Sequence, residues 1–267
     1  MLNFTNVQDL GNYPTLSPAI VEILSIVDRD DTSVEDVAAL VAMDKVLYAS
    51  LFKFVNSAAF GLRKQPNTVE EAINYLGLYG VKDLIFLLAS RNFFSSPNDW
   101  EQSLFIAFVV KKLALRLGLN QKLASDIYMA GLVHDVGAMA FDKNLKKQHE
   151  EEINKEDLYL RLAAEKGVFG LHSLELSYQI LEASEVPKAV LDIISTQSLV
   201  HDHESYTLAN SLIDLANDLF YVDLADRRDL DEVIESEKFK KIDFDKLKLD
   251  LKFLRKMNSE IQYFVDY

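Results

Sequence analysis

The stretch YMAGLVHDVGAMAF, Tyr128 to Phe141, decides how the rest of the chain is read. It is apolar almost throughout, yet it sets His134 beside Asp135 near its middle. A polar or charged group in such surroundings needs a partner, because burying it without one costs roughly 2–7 kcal/mol. Leu123, Ile127, Ala130 and Gly131 recur at helical spacing on the face that His134 continues, which aims the imidazole at a core. Taken alone, the dipeptide has two readings. It is the satisfied, buried end of a core helix, or it is part of a metal site that draws further N and O donors from elsewhere.

Outward from this stretch the helical period continues in both directions. Ser17-Pro18 reads as an N-cap with proline at the first helical position, followed by Ile20, Ile23, Leu24 and Val27. Thr32 with Glu35, and Thr68 with Glu71, have capping-box spacing. Val34, Val37, Ala38 and Val41 form the buried stripe of the first of these helices, and Gly77 ends the second. Between them, Leu47, Leu51, Phe54 and Val55 mark another helix, with Gly61 as its stop. A further helix is predicted after Gly80, and SSPNDW, Ser95 to Trp100, reads as a turn cluster. The spacing then predicts a long apolar helix from about Trp100 to Leu117 and the next from about Gln121 to Asp135. Asp142 to Asp157 is highly charged and reads as a solvated loop or helix end. Helices follow in SLELSYQILEAS, from VPKAVLDII and in TLANSLIDLANDLFY, then a charge-rich linker. A terminal amphipathic helix carries Leu247, Leu251, Leu254, Ile261 and Val265 on one face. No segment alternates as a strand does, so the fold is predicted to be all-α.

Composition narrows the function classes. The 267 residues include no cysteine, which excludes disulfides, thiolate zinc sites and a cysteine nucleophile. Apolar residues make up 49%, enough for a packed core. The net charge of −14 opposes binding to phosphate backbones and anionic membranes, so neither nucleic acid nor membrane is an expected partner. The start of the chain does not read as a signal peptide, no apolar run is long enough to span a bilayer, and a cytoplasmic location is expected.

GLVHDVGAMAF resembles the signature of the HD superfamily of metal-dependent phosphohydrolases. YPTLSPAIVEIL, then FVNSAAFGLRKQPNTVEEAINYLGLYGVKDLIF, is more specific and resembles the HDOD domain, a bacterial relative found in signalling proteins. The likeness runs over about residues 10 to 205. It implies a multi-helical bundle in which an N-terminal helical lobe, residues 1–95, packs on an HD-type helical core, 96–205, followed by a helical extension, 206–267. It also implies where ligands would stand. The central pair is His134 and Asp135, and His172 in FGLHSLELS matches a further histidine. The first histidine of the pattern is replaced by Gln102 in WEQS, the next falls at Thr196-Gln197, and the last aspartate is replaced by Asn217. Neutral amides bring no charge, so a divalent ion would meet one carboxylate, Asp135.

The expected role is therefore a non-catalytic regulatory module that contacts other signalling proteins and holds no cofactor. The alternative is a metal-dependent phosphohydrolase, acting on a phosphomonoester, a phosphodiester or a cyclic dinucleotide through a residual divalent-metal site. Asn56, Phe60, Arg63 and Lys64 join an aromatic residue to two cations in an otherwise acidic chain and form the candidate partner surface. The competing reading of that stretch is a loop in which Asn56 caps backbone groups while Phe60 packs inward. His149, His201 and His203 lie in polar runs and read as solvated surface. EEAINYLGLYGVKDLIF has a helix-turn-helix outline, but Lys82 is its lone cation beside Asp83, too little for a recognition helix. The terminal stripe either packs on its own domain or pairs two copies as a homodimer.

Overall fold

The computed structural model describes residues 13–56, 65–94, 96–141, 158–197 and 208–265. These form helices α1 (Pro18–Ile26), α2 (Val34–Met43), α3 (Lys45–Val55), α4 (Val69–Leu76) and α5 (Leu78–Ser90). Next come α6 (Pro97–Arg116), α7 (Gln121–Val133) and α8 over 136–141. The remainder are α9 (Leu158–Phe169), α10 (Ser173–Ala183), α11 (Lys188–Gln197), α12 (Leu208–Phe220), α13 (Arg227–Glu235), α14 (Phe244–Leu247) and α15 (Leu251–Val265). The described residues contain no strand. Gly61 and the charged run 142–157 lie outside them.

Local chemistry places most of the boundaries. Ser17 caps α1 by accepting from the Ile20 amide, with Pro18 at the first helical position. Asp44 caps α3 through the amides of Val46 and Leu47. The capping box of α2 lies one residue later than the sequence predicts: Ser33 pairs with Asp36, and Thr32 instead turns its hydroxyl back onto the Ile26 carbonyl. At α4 the Thr68 hydroxyl accepts from the Glu71 amide as expected, but the Glu71 carboxylate accepts from Asn67. Gly77, at φ +74°, takes the chain through the angle of 108° between α4 and α5. A side chain would be strained there, which is why glycine stands at this corner. α5 starts immediately after it, so Gly80 sits inside the helix and not before it.

The 20 residues of α6 form the axis of the molecule, a rod of about 30 Å. α7, α12 and α15 pack along it, and α5 packs on α7. Trp100 is fully buried and donates from its indole N–H to the Phe264 carbonyl at 3.1 Å. Phe264 stacks on Phe54 of α3 with ring centroids 5.1 Å apart, so the N-terminal helices, the axis and α15 share one apolar core. Leu254, Met257 and Ile261 of α15 are buried in it, so the terminal stripe is covered by its own domain. The charge-rich stretch after Tyr221 is not a plain linker. Asp226 caps α13, an Arg227–Asp231 pair runs along it, and Leu230 and Phe239 are buried. Two apolar anchors are enough to fix a segment whose average polarity hides them.

Two buried charge clusters tie α5 to its neighbours. Lys82 is 0% exposed and pairs with Asp28 at 2.8 Å and Asp126 at 3.3 Å, linking the turn after α1 to α5 and α7. Asp83 beside it is bonded by Lys111 of α6 and by the Ser125 hydroxyl of α7. Burial raises the Asp83 and Asp126 carboxyls above their ordinary range, and their cations pull them back.

Candidate functional site

α7 ends at Val133, and His134 and Asp135 form the turn into α8. Ser177 of α10 holds this corner: its hydroxyl donates to the His134 carbonyl at 3.3 Å and accepts from the Gly137 amide at 2.9 Å. Gly137 lets α10 come so close. A Cβ on it would overlap the Ser173 carbonyl oxygen and stand 2.5 Å from the Ser177 nitrogen.

The two histidines differ in what their rings have left to offer. His134 Nδ1 lies 2.9 Å from the Gly131 carbonyl, which can only accept. Nδ1 therefore carries the proton, and Nε2 keeps its lone pair. His172 is the N-cap of α10, and its Nδ1 accepts from the Glu175 amide at 3.1 Å. In the neutral ring the proton then sits on Nε2, which leaves no lone pair for a metal. Burial holds His172 below its ordinary range, against the pull of Glu175, so the neutral ring prevails at neutral pH. The signal for this role was present in the sequence, since Glu175 stands three residues after His172 at capping-box spacing.

Gln102 on α6 and Asn217 on α12 meet. The Gln102 amide donates to Asn217 Oδ1 at 2.8 Å, across 115 positions of sequence. Both side chains are half-buried. The side chain of Gln197 lies outside the description, while Thr196 beside it accepts from the Asn210 amide at 2.6 Å. Among the described residues no three His, Asp or Glu side chains come together as a metal-holding group, so His134, Asp135 and His172 do not converge. Among the described residues, the HD-pattern donors that remain are one imidazole nitrogen, one carboxylate and the hydrogen-bonded amides of Gln102 and Asn217. That set does not fit a divalent cation, which requires several oxygen or nitrogen donors and anionic charge.

A model of the HDOD domain matches residues 13–200. The chain belongs to the HDOD-domain family. A solved HDOD domain protein of unknown function from Geobacter sulfurreducens is similar over 95% of this chain and 91% of its own, with a TM-score of 0.69 and 20% identity. A candidate phosphohydrolase from Shewanella amazonensis SB2B is similar over 96% and 94%, with a TM-score of 0.68 and 19% identity. A candidate signal-transduction protein from Marinobacter aquaeolei VT8 is similar over 99% of this chain and 62% of its own, with a TM-score of 0.70 and 17% identity. At these identities the likeness is one of fold. An uncharacterised protein of Treponema pallidum (strain Nichols) is 30% identical over 137 residues, which are 49% of this chain and 26% of that relative's length. The HDOD chain thus spans about a quarter of the curated relative it matches.

The other candidate residues fall as follows. Asn56 is the C-cap of α3, its amide donating to the Phe52 carbonyl at 3.1 Å. Its own carbonyl accepts from Gln65 at 3.4 Å. Phe60, Arg63 and Lys64 lie outside the described residues, as do His149, His201 and His203. Lys82 is enclosed and doubly paired, so the helix-turn-helix outline of α4 and α5 presents no cation from that position. No single described helix is long and apolar enough to cross a membrane.

Proposed function

We propose that this HDOD chain is a non-catalytic module of bacterial signal transduction that works by contacting other proteins. The observation that carries this reading is the 2.8 Å bond between Gln102 and Asn217. Two positions where the HD pattern places ligands are neutral and hydrogen-bonded to each other. That pairing supports a scaffold role, because it leaves two positions of the pattern without the anionic charge that a divalent cation needs. The net charge of −14 favours basic faces on a protein partner. A phosphohydrolase reading, by analogy with the candidate phosphohydrolase of the same fold, asks for a donor set that these residues do not supply.

The test is elemental analysis of the purified protein, together with turnover of bis(p-nitrophenyl) phosphate in added Mn²⁺. The expected result is no divalent metal near stoichiometry, and hydrolysis at the background rate in both the natural chain and Asp135→Ala. Copurified metal with turnover that Asp135→Ala abolishes would overturn the proposal.

A further inference from the structure

The Tyr128 hydroxyl is buried without a protein partner. Tyr128, on α7, is 3% exposed. Its ring meets Phe108 edge-on, and the Lys111 ammonium lies 5.6 Å from the ring centre. Its hydroxyl has no hydrogen-bond partner among the described residues. A buried tyrosine O–H usually finds one. Burial, with the Asp83 charge beside it, holds this phenol well above its usual range. It therefore keeps its proton and stands ready to donate.

The hydroxyl belongs to the lining of a cavity of about 270 Å³ where α5, α6, α7 and α15 meet. Leu84 and Leu87 of α5, Phe108 and Leu115 of α6, and Phe264 of α15 make its walls chiefly apolar. The Phe108 and Phe264 rings are 4.9 Å apart, so one wall is aromatic and suits a flat ring. A dry cavity of about 150 Å³ holds benzene, so this one suits a molecule of about ten non-hydrogen atoms. None of the HD-pattern residues lines it.

The charges of the lining cancel, Lys111 and Lys112 standing against Asp83 and Glu260. Lys111 bonds Asp83 directly, and Ser125 donates to the same carboxylate. A charged occupant would give up its hydration on entry and find no excess of opposite charge in return. A neutral one meets no such cost. What the enclosed wall asks of it is an acceptor for the Tyr128 proton.

We propose that this cavity binds a neutral, mainly apolar molecule of about ten non-hydrogen atoms that carries one acceptor oxygen, an arylalkyl ketone in chemical class, with that oxygen on the Tyr128 hydroxyl and its ring against Phe108 and Phe264. The site stands whatever the HD corner does. Its occupant touches α5, the α6 axis, α7 and α15 at once.

The probe is benzylacetone, titrated calorimetrically into the full chain. Butylbenzene, hydrocinnamate and phenylpropylammonium, of similar size, are the controls without an acceptor, with a negative charge and with a positive charge. The expected result is saturable binding of one benzylacetone per chain, about five-fold tighter than butylbenzene, the ordinary worth of one neutral hydrogen bond. Both charged analogues should bind more weakly than the ketone. Tyr128→Phe keeps the ring and breaks no hydrogen bond of the folded protein, so the fold survives it. It should weaken benzylacetone by the same factor of about five and leave butylbenzene unchanged. Leu115→Trp should fill the cavity and remove both. Absence of saturable benzylacetone binding overturns the proposal. So does a benzylacetone affinity that Tyr128→Phe leaves unchanged, or either charged analogue binding tighter than the ketone.

Discussion

Lys82→Met removes the single cation between Asp28 and Asp126. Asp126 is 5% exposed at its side chain and Asp28 is 21% exposed. At the 3.3 Å separation of Lys82 and Asp126, Coulomb's law gives about 5 kcal/mol at an effective dielectric of about 20. Burial of the lysine itself offsets part of that in the natural chain. Once the lysine is gone, the carboxylate of Asp126 stays enclosed with only the weaker pull of Lys122 to balance it, and breaking a buried pair in this way costs about 3–5 kcal/mol. Asp28 can recover water and adds little. Urea unfolding at pH 7 should show that loss. The triple variant Lys82→Met, Asp28→Asn, Asp126→Asn should regain most of it, because a neutral set leaves no stranded charge. The pH dependence has a definite sign. Burial already raises the Asp126 carboxyl and Lys82 lowers it, so the single variant has a still higher folded-state value. Its penalty is present at neutral pH and shrinks as pH falls through that value. A loss under about 1 kcal/mol in the single variant, or a triple variant no better than the single one, would refute the account of α5 and α7 as joined by charge to the turn after α1.

Two further outcomes follow from other buried groups. Burial raises the Asp214 carboxyl to about 6 from 3.8, with Lys238 opposing and Asp218 adding. The folded chain therefore binds more protons than the unfolded one between those values, and stability falls as pH rises through that window. Asp214→Asn should stabilise the protein above it by up to about 3 kcal/mol and match the natural chain at the acid end, as read from urea midpoints across the range. Gly137→Ala should lower the melting temperature by roughly 5–10 °C, because its Cβ collides with backbone of α10. Adding Ser177→Ala should not rescue it, since the Ser173 carbonyl and the Ser177 nitrogen stay in place; recovery would place the conflict in the hydroxyl.

The sequence by itself determined the all-helical fold, because helices are written locally. The Ser17-Pro18 start, the Gly77 corner and the apolar periods of α6, α7 and α15 each rest on residues within a few positions of one another. It also marked the HD corner, since His134-Asp135 stands out in an apolar run. Where an apolar period was diluted, the sequence misled: Leu230 and Phe239 anchor a stretch that reads as a linker. Tertiary structure alone decided who meets whom. Gln102 finds Asn217 across 115 positions, and Lys82 finds Asp28 and Asp126 across 54 and 44. Periodicity fixes which face of a helix is buried, but the partner of a buried polar group is set by how whole helices lie on the α6 axis, and no local pattern encodes that.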